Sequence, residues 1–487
     1  MGGITPAFAP PQSDVTRVGV APSFSDAMVG PISSRRVATL AGSNQRDVGP
    51  RTSSSLLPSS SHRLAVTPAL LDAAAAAKHL AQVRTRSERL AARVSAEDAQ
   101  VQSMPDVSPT KWHLAHTTWF FETFLLRPYA DGYEPFDADY HYLFNSYYEA
   151  EGPRHPRPER GLVSRPGLAE IIAYRAHVSE AMATLIERAS GRDDWPHIAA
   201  LIDLGCHHEE QHQELLLTDI KHVLSCNPLK PAYAEPYPKA IESAPDLEWI
   251  GFDGGLCHVG HDGDGFAFDC EGPRHKAYLE PFELASRPVT NREYLAFIED
   301  GGYRRADLWL SDAWALINQD GWTAPLYWEQ EDGDWFVFTL FGRQPINLDQ
   351  PACHLSYYEA DAFATWAGAR LPTEAELEVA QTGSDPGPVN DLGTGRLHPT
   401  VAPHGTGRVH QLFGDVWEWT RSAFAPYPGF KPSAGAIGEY NGKFMCGQFV
   451  LKGGSCVTPP GHWRASYRNF FPPHSQWQVT GARLARD

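Results

Sequence analysis

Residues 204–219 read Leu-Gly-Cys-His-His-Glu-Glu-Gln-His-Gln-Glu-Leu-Leu-Leu-Thr-Asp, and this stretch predicts a helix with two histidines on one face. His208 and His212 stand four residues apart, so both imidazoles project from the same side of that helix. The same side carries Leu201 and Leu215 and is largely apolar. Histidines on a buried face cost free energy unless a metal ion or hydrogen bonds satisfy them. The stretch therefore predicts either a metal site or a pair of hydrogen-bonded core histidines.

The string His208-Glu209-Glu210-Gln211-His212 also matches the H-E-x-x-H pattern of zinc metalloproteases, in which the glutamate is the general base. A zinc hydrolase needs a third protein ligand and an open position for water. The sequence has no H-x-x-G-x-x-H extension downstream, so the match is short and unspecific. A zinc hydrolase is therefore kept as an alternative.

A second helix that carries histidines is predicted over residues 108–127, where Ser108 suits the N-cap and Pro109 the first helical position. His116 shares its face with aromatic residues and is expected to point inward. His113 lies three residues earlier and could take the same role. One histidine from this helix and two from the other would make a three-histidine site with further coordination positions open to substrates.

Length, charge and cysteine usage favour an enzyme of two domains. The chain has 487 residues, which is longer than a single domain with one hydrophobic core usually is. Its 41 basic and 59 acidic residues give a net charge of −18 without a basic stripe, so we expect no nucleic-acid partner. No apolar run approaches the roughly 20 residues of a membrane span. Seven cysteines without a C-x-x-C pair fit free thiols in the cytoplasm. We expect a cytoplasmic enzyme acting on small molecules, with a homo-oligomer left open.

Composition divides the chain into four segments. Residues 1–66 are rich in Ser, Pro, Gly and Ala and lack periodicity, so they are predicted to be disordered. Residues 67–230 have helical patterns, and prolines mark 231–245 as a linker. Residues 246–487 have short strands, many glycines and tryptophan-rich turns. They predict an irregular α+β domain with helices near 290–300 and 356–368.

Four helices are predicted in the first domain, at about 67–94, 108–127, 166–190 and 195–225. Four long helices with one extended connection make a bundle, whose interior is a common place for metal sites. The connection over 128–165 is dense in aromatic and arginine residues. A loop of that length inside a compact domain is usually functional.

Six short motifs in the second domain resemble the formylglycine-generating-enzyme (sulfatase-modifying-factor) fold, a relative of C-type lectins. They lie at residues 286–297, 355–360, 366–376, 414–420, 452–455 and 467–469. The motifs come in the family's order and span most of the domain. Formylglycine-generating enzymes use a cysteine pair for copper, but only Cys456 follows Gly454 here, so formylglycine synthesis is not expected. A lectin-like binding module with structural histidines is the non-enzymatic alternative.

A DinB-like helical bundle joined to such a domain resembles the ergothioneine-biosynthesis sulfoxide synthases, over roughly 67–487. The resemblance implies an α + (α+β) fold, with an N-terminal DinB-like four-helix bundle and a C-type-lectin-like second domain. It also implies Fe(II) bound by one histidine in Leu-Ala-His and two in His-Glu-x-Gln-His, which are His116, His208 and His212 here. Three neutral imidazoles leave the iron its full charge, which favours binding of a substrate thiolate.

The reaction implied by the resemblance uses O2 to join a cysteine sulfur to imidazole C2 of N-α-trimethylhistidine (hercynine) as a sulfoxide. The sulfur donor is cysteine or γ-glutamylcysteine. Gln211 and Asn469 resemble residues that hold the trimethylhistidine carboxylate. Arg157 resembles the arginine that binds the carboxylate of the thiol substrate, as its planar guanidinium allows.

Two aromatic pairs separate this chain from the actinobacterial pattern. Phe470-Phe471 stands where those enzymes have Trp-Asp, and that aspartate contacts the γ-glutamyl group. Together with Tyr147-Tyr148, the pair resembles a second, alternative class of these synthases, for which cysteine itself is the expected thiol. The aromatic rings also suit the trimethylammonium group through cation–π attraction.

The tyrosines have a chemical role in this interpretation. A phenol that delivers a proton near the metal would direct the reaction to the sulfoxide rather than to a sulfinic acid, so Tyr147 and Tyr148 are the candidate catalytic residues. Two alternatives stay open. One is an ovothiol-type synthase, although those enzymes usually carry a methyltransferase domain and this sequence has no Gly-rich nucleotide loop. The other is a DinB-like thiol transferase without oxidation.

Overall fold

The fold is described from a computed structural model for residues 68–235, 243–263, 265–433 and 435–487. These described residues belong to one compact unit. The segment predicted to be disordered, 1–66, and residues 236–242 of the predicted linker lie outside the described residues. The four domain boundaries and the relationship to C-type lectins therefore stay predictions.

The first part of the described chain is helical, as the sequence predicts. Its α-helices are α1 (Ala73–Ala91), α2 (Thr110–Phe121), α3 (Arg127–Tyr129), α4 (Tyr140–Phe144), α5 (Leu168–Ala189) and α6 (Trp195–Cys226). The helix predicted at 67–94 is shorter because Asp72 caps α1 by accepting a 2.8 Å hydrogen bond from the amide of Ala75. A separate 3-10 turn, Pro68–Leu71, precedes it.

The predicted start of α2 is one residue too early. Pro109 occupies the N-cap, and the helix begins at Thr110. The amide of Ser108 donates instead to the carboxylate of Asp219 on α6, at 2.8 Å. This contact across the bundle holds Ser108 outside the helix, and Pro109 is compatible with the extended backbone found there. After Phe121 the chain continues as a π-helical turn, Glu122–Leu126.

A buried ionic network joins the long helices. Glu209 of α6 is fully buried and accepts hydrogen bonds from Arg175 at 2.8 Å, Ser87 at 2.6 Å and Arg84 at 3.3 Å. Burial opposes ionisation of this carboxyl, but the two arginines and the hydrogen bonds still place its pKa below the ordinary value. Losing one partner would leave a buried charge unpaired, so the network ties α1, α5 and α6 together.

The second part combines short strands with short helices. The strands are β1 (Trp249–Phe252), β2 (Gly255–Val259), β3 (His275–Leu279), β4 (Phe282–Ala285), β5 (Trp328–Glu331), β6 (Asp334–Thr339), β7 (Gly342–Pro345), β8 (Trp417–Ala423), β9 (Phe449–Lys452), β10 (Asn469–Phe471), β11 (Thr480–Gly481) and β12 (Ala485–Arg486). The helices are α7 (Asn291–Glu299), α8 (Ser311–Asp320), α9 (Tyr357–Trp366), α10 (Glu374–Thr382) and α11 (Glu439–Gly442). The mixture confirms the α+β prediction.

Three of these helices begin at capping boxes that are visible in the sequence. Thr290 caps α7, Ser356 caps α9 and Thr373 caps α10, each with a glutamate three residues later that bonds back to the cap. Within the described residues the strands form sheets ordered β1-β4-β12, β10-β9-β8-β11, β2-β3 and β5-β6-β7. In the second sheet Asn469 pairs with Leu451, which fixes the position of β10.

One carboxylate of α6 connects the helical first part to the second part through hydrogen bonds. Glu214 is buried and accepts hydrogen bonds from three donors of the second part, Trp417 Nε1 at 2.8 Å, Ser455 Oγ at 2.5 Å and Thr458 Oγ1 at 2.7 Å. This contact brings the sheet that contains β8 and β10 against the histidine-bearing helix. Among the residues that the structure describes, no helix combines the length and apolar character needed to span a bilayer.

Candidate metal centre and active site

Three histidines from two helices meet inside the bundle. His116 of α2 and His208 and His212 of α6 each bring one ring nitrogen within 4.8 Å of the others. The three side chains are 2%, 2% and 8% exposed. Their ring centroids lie 5.0, 4.8 and 4.7 Å apart in pairs. The arrangement is that of three imidazoles converging on one point.

Burial keeps these imidazoles neutral. It lowers the pKa of His208 to about 4 and the pKa values of His116 and His212 well below the ordinary range, and the neighbouring histidines lower the latter two further. A neutral imidazole has one N–H and one lone pair, so each ring can offer a nitrogen ligand.

His116 is oriented by its other nitrogen. Nδ1 lies 2.6 Å from the carbonyl oxygen of Phe144, and because that oxygen can only accept, Nδ1 carries the proton. Its Nε2 lone pair is then available as a ligand atom. The ring is stacked between Trp112 and Trp119, at centroid distances of 4.6 and 5.6 Å. The aromatic face predicted for this helix therefore fixes the plane of the imidazole.

His113 lies behind the trio rather than in it. Its Nε2 is 3.0 Å from Oδ2 of Asp219, and its Nδ1 is 2.9 Å from Nδ1 of His212. When the Asp219 carboxylate accepts from Nε2 of a neutral His113, Nδ1 of His113 accepts the proton of His212. His212 then keeps its Nε2 lone pair for a ligand. The residue pattern alone left His113 and His116 as alternatives, the family resemblance implied His116, and the structure brings His116 together with His208 and His212.

The donor set fits a transition-metal ion. Three neutral imidazoles converge, and hydrogen bonds to Phe144 and His113 orient two of them toward a shared centre. Imidazole suits Fe(II) as well as Zn(II), so the donors themselves do not select the metal. Coordination by three histidines leaves positions for exogenous ligands in an octahedral site.

Glu209 cannot serve as the general base of a zinc hydrolase. The side chain that the H-E-x-x-H pattern would use for that purpose is fully buried and held by Arg84 and Arg175 on another face of α6. A base must reach the water whose proton it takes. The metalloprotease alternative therefore fails on geometry.

A cavity of about 290 Å³ opens beside the histidines and is lined by both parts of the chain. Its walls include most of the residues that the sequence singled out: His116, Tyr147, Tyr148, Arg157, Gln211, His212, Asn469, Phe470 and Phe471. His208 lies on a small adjoining cavity together with Tyr148 and Gln211. A larger cavity of about 400 Å³ lies elsewhere in the second part and contains none of these residues.

Two arginines of the long connection face this cavity. Arg157 donates from Nη1 to the hydroxyl of Tyr147 at 2.5 Å and from Nη2 to the carbonyl of Asp106. Arg160 is buried, donates to Ser108 and Ser146, and lies 3.4 Å from the centre of the Trp112 ring. In the part of the chain that the structure describes, neither arginine has a carboxylate within ion-pair distance, and neither Nε–H has an acceptor.

Arg160 is a functional candidate that the sequence interpretation missed. Burial and the charge of Arg157 lower its pKa to about 9, which reflects how unfavourable an uncompensated buried cation is. The residue stands in the same Pro-Arg-Pro-Glu-Arg run as Arg157, so the motif was visible. What the sequence could not show is which of the two arginines is buried.

The remaining predicted residues line the walls. Gln211 donates from Nε2 to the hydroxyl of Tyr467 at 2.7 Å, and its Oε1 accepts from no described group. Asn469 accepts from the amide of Phe470 through Oδ1 at 2.9 Å. The Phe470 ring stacks on Phe424 with 4.1 Å between centroids. Polar and aromatic side chains therefore both line the cavity.

Comparison with known families covers both parts of the chain. Residues 79–216 match the DinB superfamily, and residues 235–391 and 400–487 match the sulfatase-modifying factor enzyme 1-like domain. The sequence prediction of these two families is confirmed.

Individual proteins also match this chain, and two of them align with most of its length. The chain is 33% identical to hercynine oxygenase of Mycobacterium tuberculosis, over 84% of this chain and 98% of the relative. It is 32% identical to hercynine oxygenase of Mycolicibacterium thermoresistibile, over 84% of this chain and 94% of that protein. The formylglycine-generating enzyme of Thermomonospora curvata is 27% identical over 49% of this chain and 93% of its own length.

Proposed function

We propose, from the premise that this chain belongs to the hercynine oxygenase family of oxidoreductases, that it joins a cysteine sulfur to imidazole C2 of hercynine and delivers a sulfoxide. The overall reaction takes a thiol, the C2–H of hercynine and O2 and releases the sulfoxide and water. O2 accepts four electrons, two from carbon–sulfur bond formation and two from oxygenation of sulfur. The observation that carries the proposal is the buried histidine trio beside a cavity that is also lined by Arg157 and Arg160, neither of which has a carboxylate partner among the described residues.

The metal ligands of this proposal are His116, His208 and His212, and the metal is Fe(II). Iron bound there would activate O2, and O2 supplies the oxidising equivalents for both bond-forming steps. The protein keeps the three imidazoles neutral by burial and orients two of them through Phe144 and His113. Their fixed positions leave the side of the trio that faces the cavity to the substrates.

Carboxylate binding by Arg157 and Arg160 positions the thiol substrate. In each guanidinium the Nε–H donates to no described group, and Arg160 is a buried cation that no described carboxylate neutralises. A buried charge without a counterion is costly, and the carboxylate of an amino-acid substrate relieves that cost. Its sulfur is then directed toward the histidine trio.

Hercynine binds, in this proposal, between α6 and β10. Gln211 and Asn469 contact its carboxylate from the two parts of the chain, as the family resemblance implies. The aromatic surface of Phe470 and Phe471 lies on the same strand as Asn469 and suits the trimethylammonium group. A substrate with a fixed carboxylate and a fixed cation has little freedom left, so its imidazole ring is oriented for reaction.

The direct test is anaerobic reconstitution with Fe(II), followed by O2, hercynine and either cysteine or γ-glutamylcysteine. Mass spectrometry is expected to show a product whose sulfur is attached to C2 and carries one oxygen. His116→Ala, His208→Ala and His212→Ala should each abolish the product and iron binding while the thermal unfolding transition persists. His258→Ala, which changes an exposed histidine on β2, is the matched control and should keep both.

Three outcomes contradict the proposal. One is full activity in His116→Ala. Another is a product formed equally well with Zn(II) and without O2. The third is a C5-linked product from histidine, which would assign the chain to the ovothiol-type reaction.

A further inference from the structure

A second cluster of ligand atoms lies on another face of α6. His207 and Glu210 of α6 and His462 of the second part bring one ligand atom each within 4.8 Å of the others. All three are buried, with 9%, 3% and 1% exposure. Among the described residues this is one of two such clusters, and the histidine trio of the active site is the other. The reaction proposed above does not use it.

The three atoms form a nearly equilateral triangle. Nδ1 of His207 and Nδ1 of His462 are 3.0 Å apart, and each lies 3.3 Å from Oε2 of Glu210. Ligands about 2.0–2.1 Å from a tetrahedral Zn(II) ion are separated by roughly 3.3 Å. The rings of the two histidines have centroids 5.2 Å apart, close to the 4.7–5.0 Å within the active-site trio. The triangle therefore has the size of a metal-ligand face.

Hydrogen bonds among these three atoms leave part of their hydrogen-bonding capacity unused. If both Nδ1 atoms carry protons, both N–H groups share one oxygen of Glu210, and the two nitrogens lie 3.0 Å apart with no acceptor between them. If only one carries a proton, one of the three edges pairs two lone pairs. A cation in the centre satisfies two imidazole lone pairs and one carboxylate together.

Each ligand is also oriented by an outer contact. Nε2 of His207 faces the Asp203 carboxylate at 3.6 Å, and Nε2 of His462 faces the Tyr467 hydroxyl at 3.3 Å. Oε1 of Glu210 accepts a 3.0 Å hydrogen bond from Arg86. A carboxylate or hydroxyl on the far nitrogen of a histidine is the usual support of a metal ligand.

We infer that His207, Glu210 and His462 bind a Zn(II) ion where α6 meets the second part, with water as the fourth ligand. Two imidazoles and one carboxylate are a common protein ligand set for zinc, and the spacing of the triangle suits its tetrahedral geometry. Because His462 comes from the second part, the ion joins that part to α6. The inference is independent of the proposed reaction, since it uses none of the active-site ligands.

The ion has a structural connection to the substrate cavity. Tyr467 faces His462 on one side and accepts a hydrogen bond from Gln211 on the other. The same turn of α6 presents His207 and Glu210 to the second part and His208 to the bundle interior. Zinc at this junction would hold the helix in register with the strand that carries Asn469.

The test uses full-length protein in which the active-site ligands are removed by His208→Ala and His212→Ala. This parent is expected to retain about one zinc ion per chain after dialysis against a weak chelator, and to show the strong visible absorption of four-coordinate Co(II) when cobalt replaces zinc. Adding Glu210→Gln or His462→Ala should reduce zinc binding at least about tenfold and remove the cobalt bands.

Two control variants separate loss of zinc binding from loss of folding. Glu210→Gln preserves the size of the side chain, so it remains usable if His462→Ala fails to fold, and zinc should raise the unfolding temperature of the parent but not of Glu210→Gln. His258→Ala in the same background should bind zinc like the parent. A parent that binds neither zinc nor cobalt overturns the inference. So does a Glu210→Gln protein that binds both metals as the parent does.

Discussion

Arg157 donates a 2.5 Å hydrogen bond to the hydroxyl oxygen of Tyr147, whereas the next residue, Tyr148, packs in the aromatic layer around the histidine trio. Tyr148 is 3% exposed, and its ring lies 5.6 Å from Trp119, which in turn stacks 5.6 Å from His116. Two consecutive tyrosines that the sequence leaves equivalent therefore have different surroundings. Tyr147 belongs to the arginine side of the cavity and Tyr148 to the metal side.

This difference predicts different effects of removing each hydroxyl. Tyr148→Phe is expected to move the product from the sulfoxide toward the sulfinic acid, because the buried Tyr148 ring packs on Trp119, which stacks on the ligand His116, and this makes its phenol the expected proton donor. Tyr147→Phe is expected to raise KM for the thiol about tenfold with little change in the product ratio, because it removes the hydroxyl that holds Arg157. Product ratios and KM are measured at equal iron content.

Tyr142→Phe is the matched control, since Tyr142 lies on the same connection and is exposed. It should behave like the unmodified protein. If the ratio of sulfoxide to sulfinic acid is unchanged in Tyr147→Phe, Tyr148→Phe and the double variant, neither phenol donates the proton. A shift that appears only in Tyr147→Phe would reverse the two assignments.

The contact between His113 and His212 predicts a graded loss of metal affinity. His113→Leu removes the acceptor that orients His212, so Fe(II) should bind about 10- to 100-fold more weakly. Asp219→Asn should act in the same direction, because it weakens the contact that sets the proton position on His113. Anaerobic titration with Fe(II) measures both. Unchanged affinity would remove His113 from the support of the site, and a loss as complete as in His116→Ala would make it a ligand.

The long helices could be predicted because their apolar periodicity extends over many turns. The helix predicted at 166–190 is Leu168–Ala189, and the helix predicted at 195–225 is Trp195–Cys226. Ser108 fits the N-cap preference, yet its amide is bound to Asp219 on another helix. Local preference is worth about 1 kcal/mol at a cap, and a buried contact to a carboxylate competes with it. A boundary decided by such a contact is not visible in local sequence.

In the candidate site, too, some residues could be identified from the sequence and others only from their packing. The family resemblance named residues that the structure places around one cavity, because the motifs that carry the resemblance identify each of them in the sequence. Arg160 was missed because its importance lies in what surrounds it, a buried position without a carboxylate partner among the described residues. The cluster of His207 and Glu210 has visible helical spacing, but His462 reaches it only through the packing of the second part. No rule of spacing predicts a partner that distant in the chain.

Acid sensitivity is predicted at a buried ion pair of the second part. Glu271 is fully buried and accepts hydrogen bonds from Arg464 Nε at 2.9 Å, Ser466 Oγ at 2.7 Å and the amide of Phe268 at 2.9 Å. Burial opposes its ionisation, but the charge of Arg464 and these bonds outweigh burial and lower the pKa. A carboxyl with a depressed folded pKa stabilises the protein above its unfolded pKa and loses that contribution as pH falls through the folded value.

Glu271→Gln should therefore lower the free energy of unfolding by about 3 kcal/mol at neutral pH, since Arg464 loses its charged partner. The difference between the variant and the unmodified protein should shrink as pH falls below about 4. Urea unfolding over a pH series measures it, and Glu280→Gln, at an exposed position, is the control. A difference that is independent of pH would show that Glu271 contributes through packing alone.

The preference for one thiol substrate over another depends on whether the cavity has a carboxylate that can bind the ammonium of a γ-glutamyl group. Among the described residues that line it, the carboxylates are Asp106, Glu214 and Asp219. Glu214 and Asp219 are occupied by donors of the protein, and Asp106 is exposed on the arginine side. Phe471, on β10, presents an aromatic ring that packs 6.0 Å from Trp477. The β10 wall therefore offers no described carboxylate to the ammonium of a γ-glutamyl group.

Free cysteine is accordingly expected to compete well with γ-glutamylcysteine. The ratio of kcat/KM for the two thiols should stay below about 100-fold, or roughly 2.7 kcal/mol, in either direction. Phe471→Asp should shift this ratio toward γ-glutamylcysteine about tenfold or more, because it adds a charge where the γ-glutamyl ammonium is expected. Phe471→Asn, which opens the same space without the charge, is the matched control and should shift it less. A preference above 100-fold for γ-glutamylcysteine in the unmodified protein would mean that another residue binds the γ-glutamyl group.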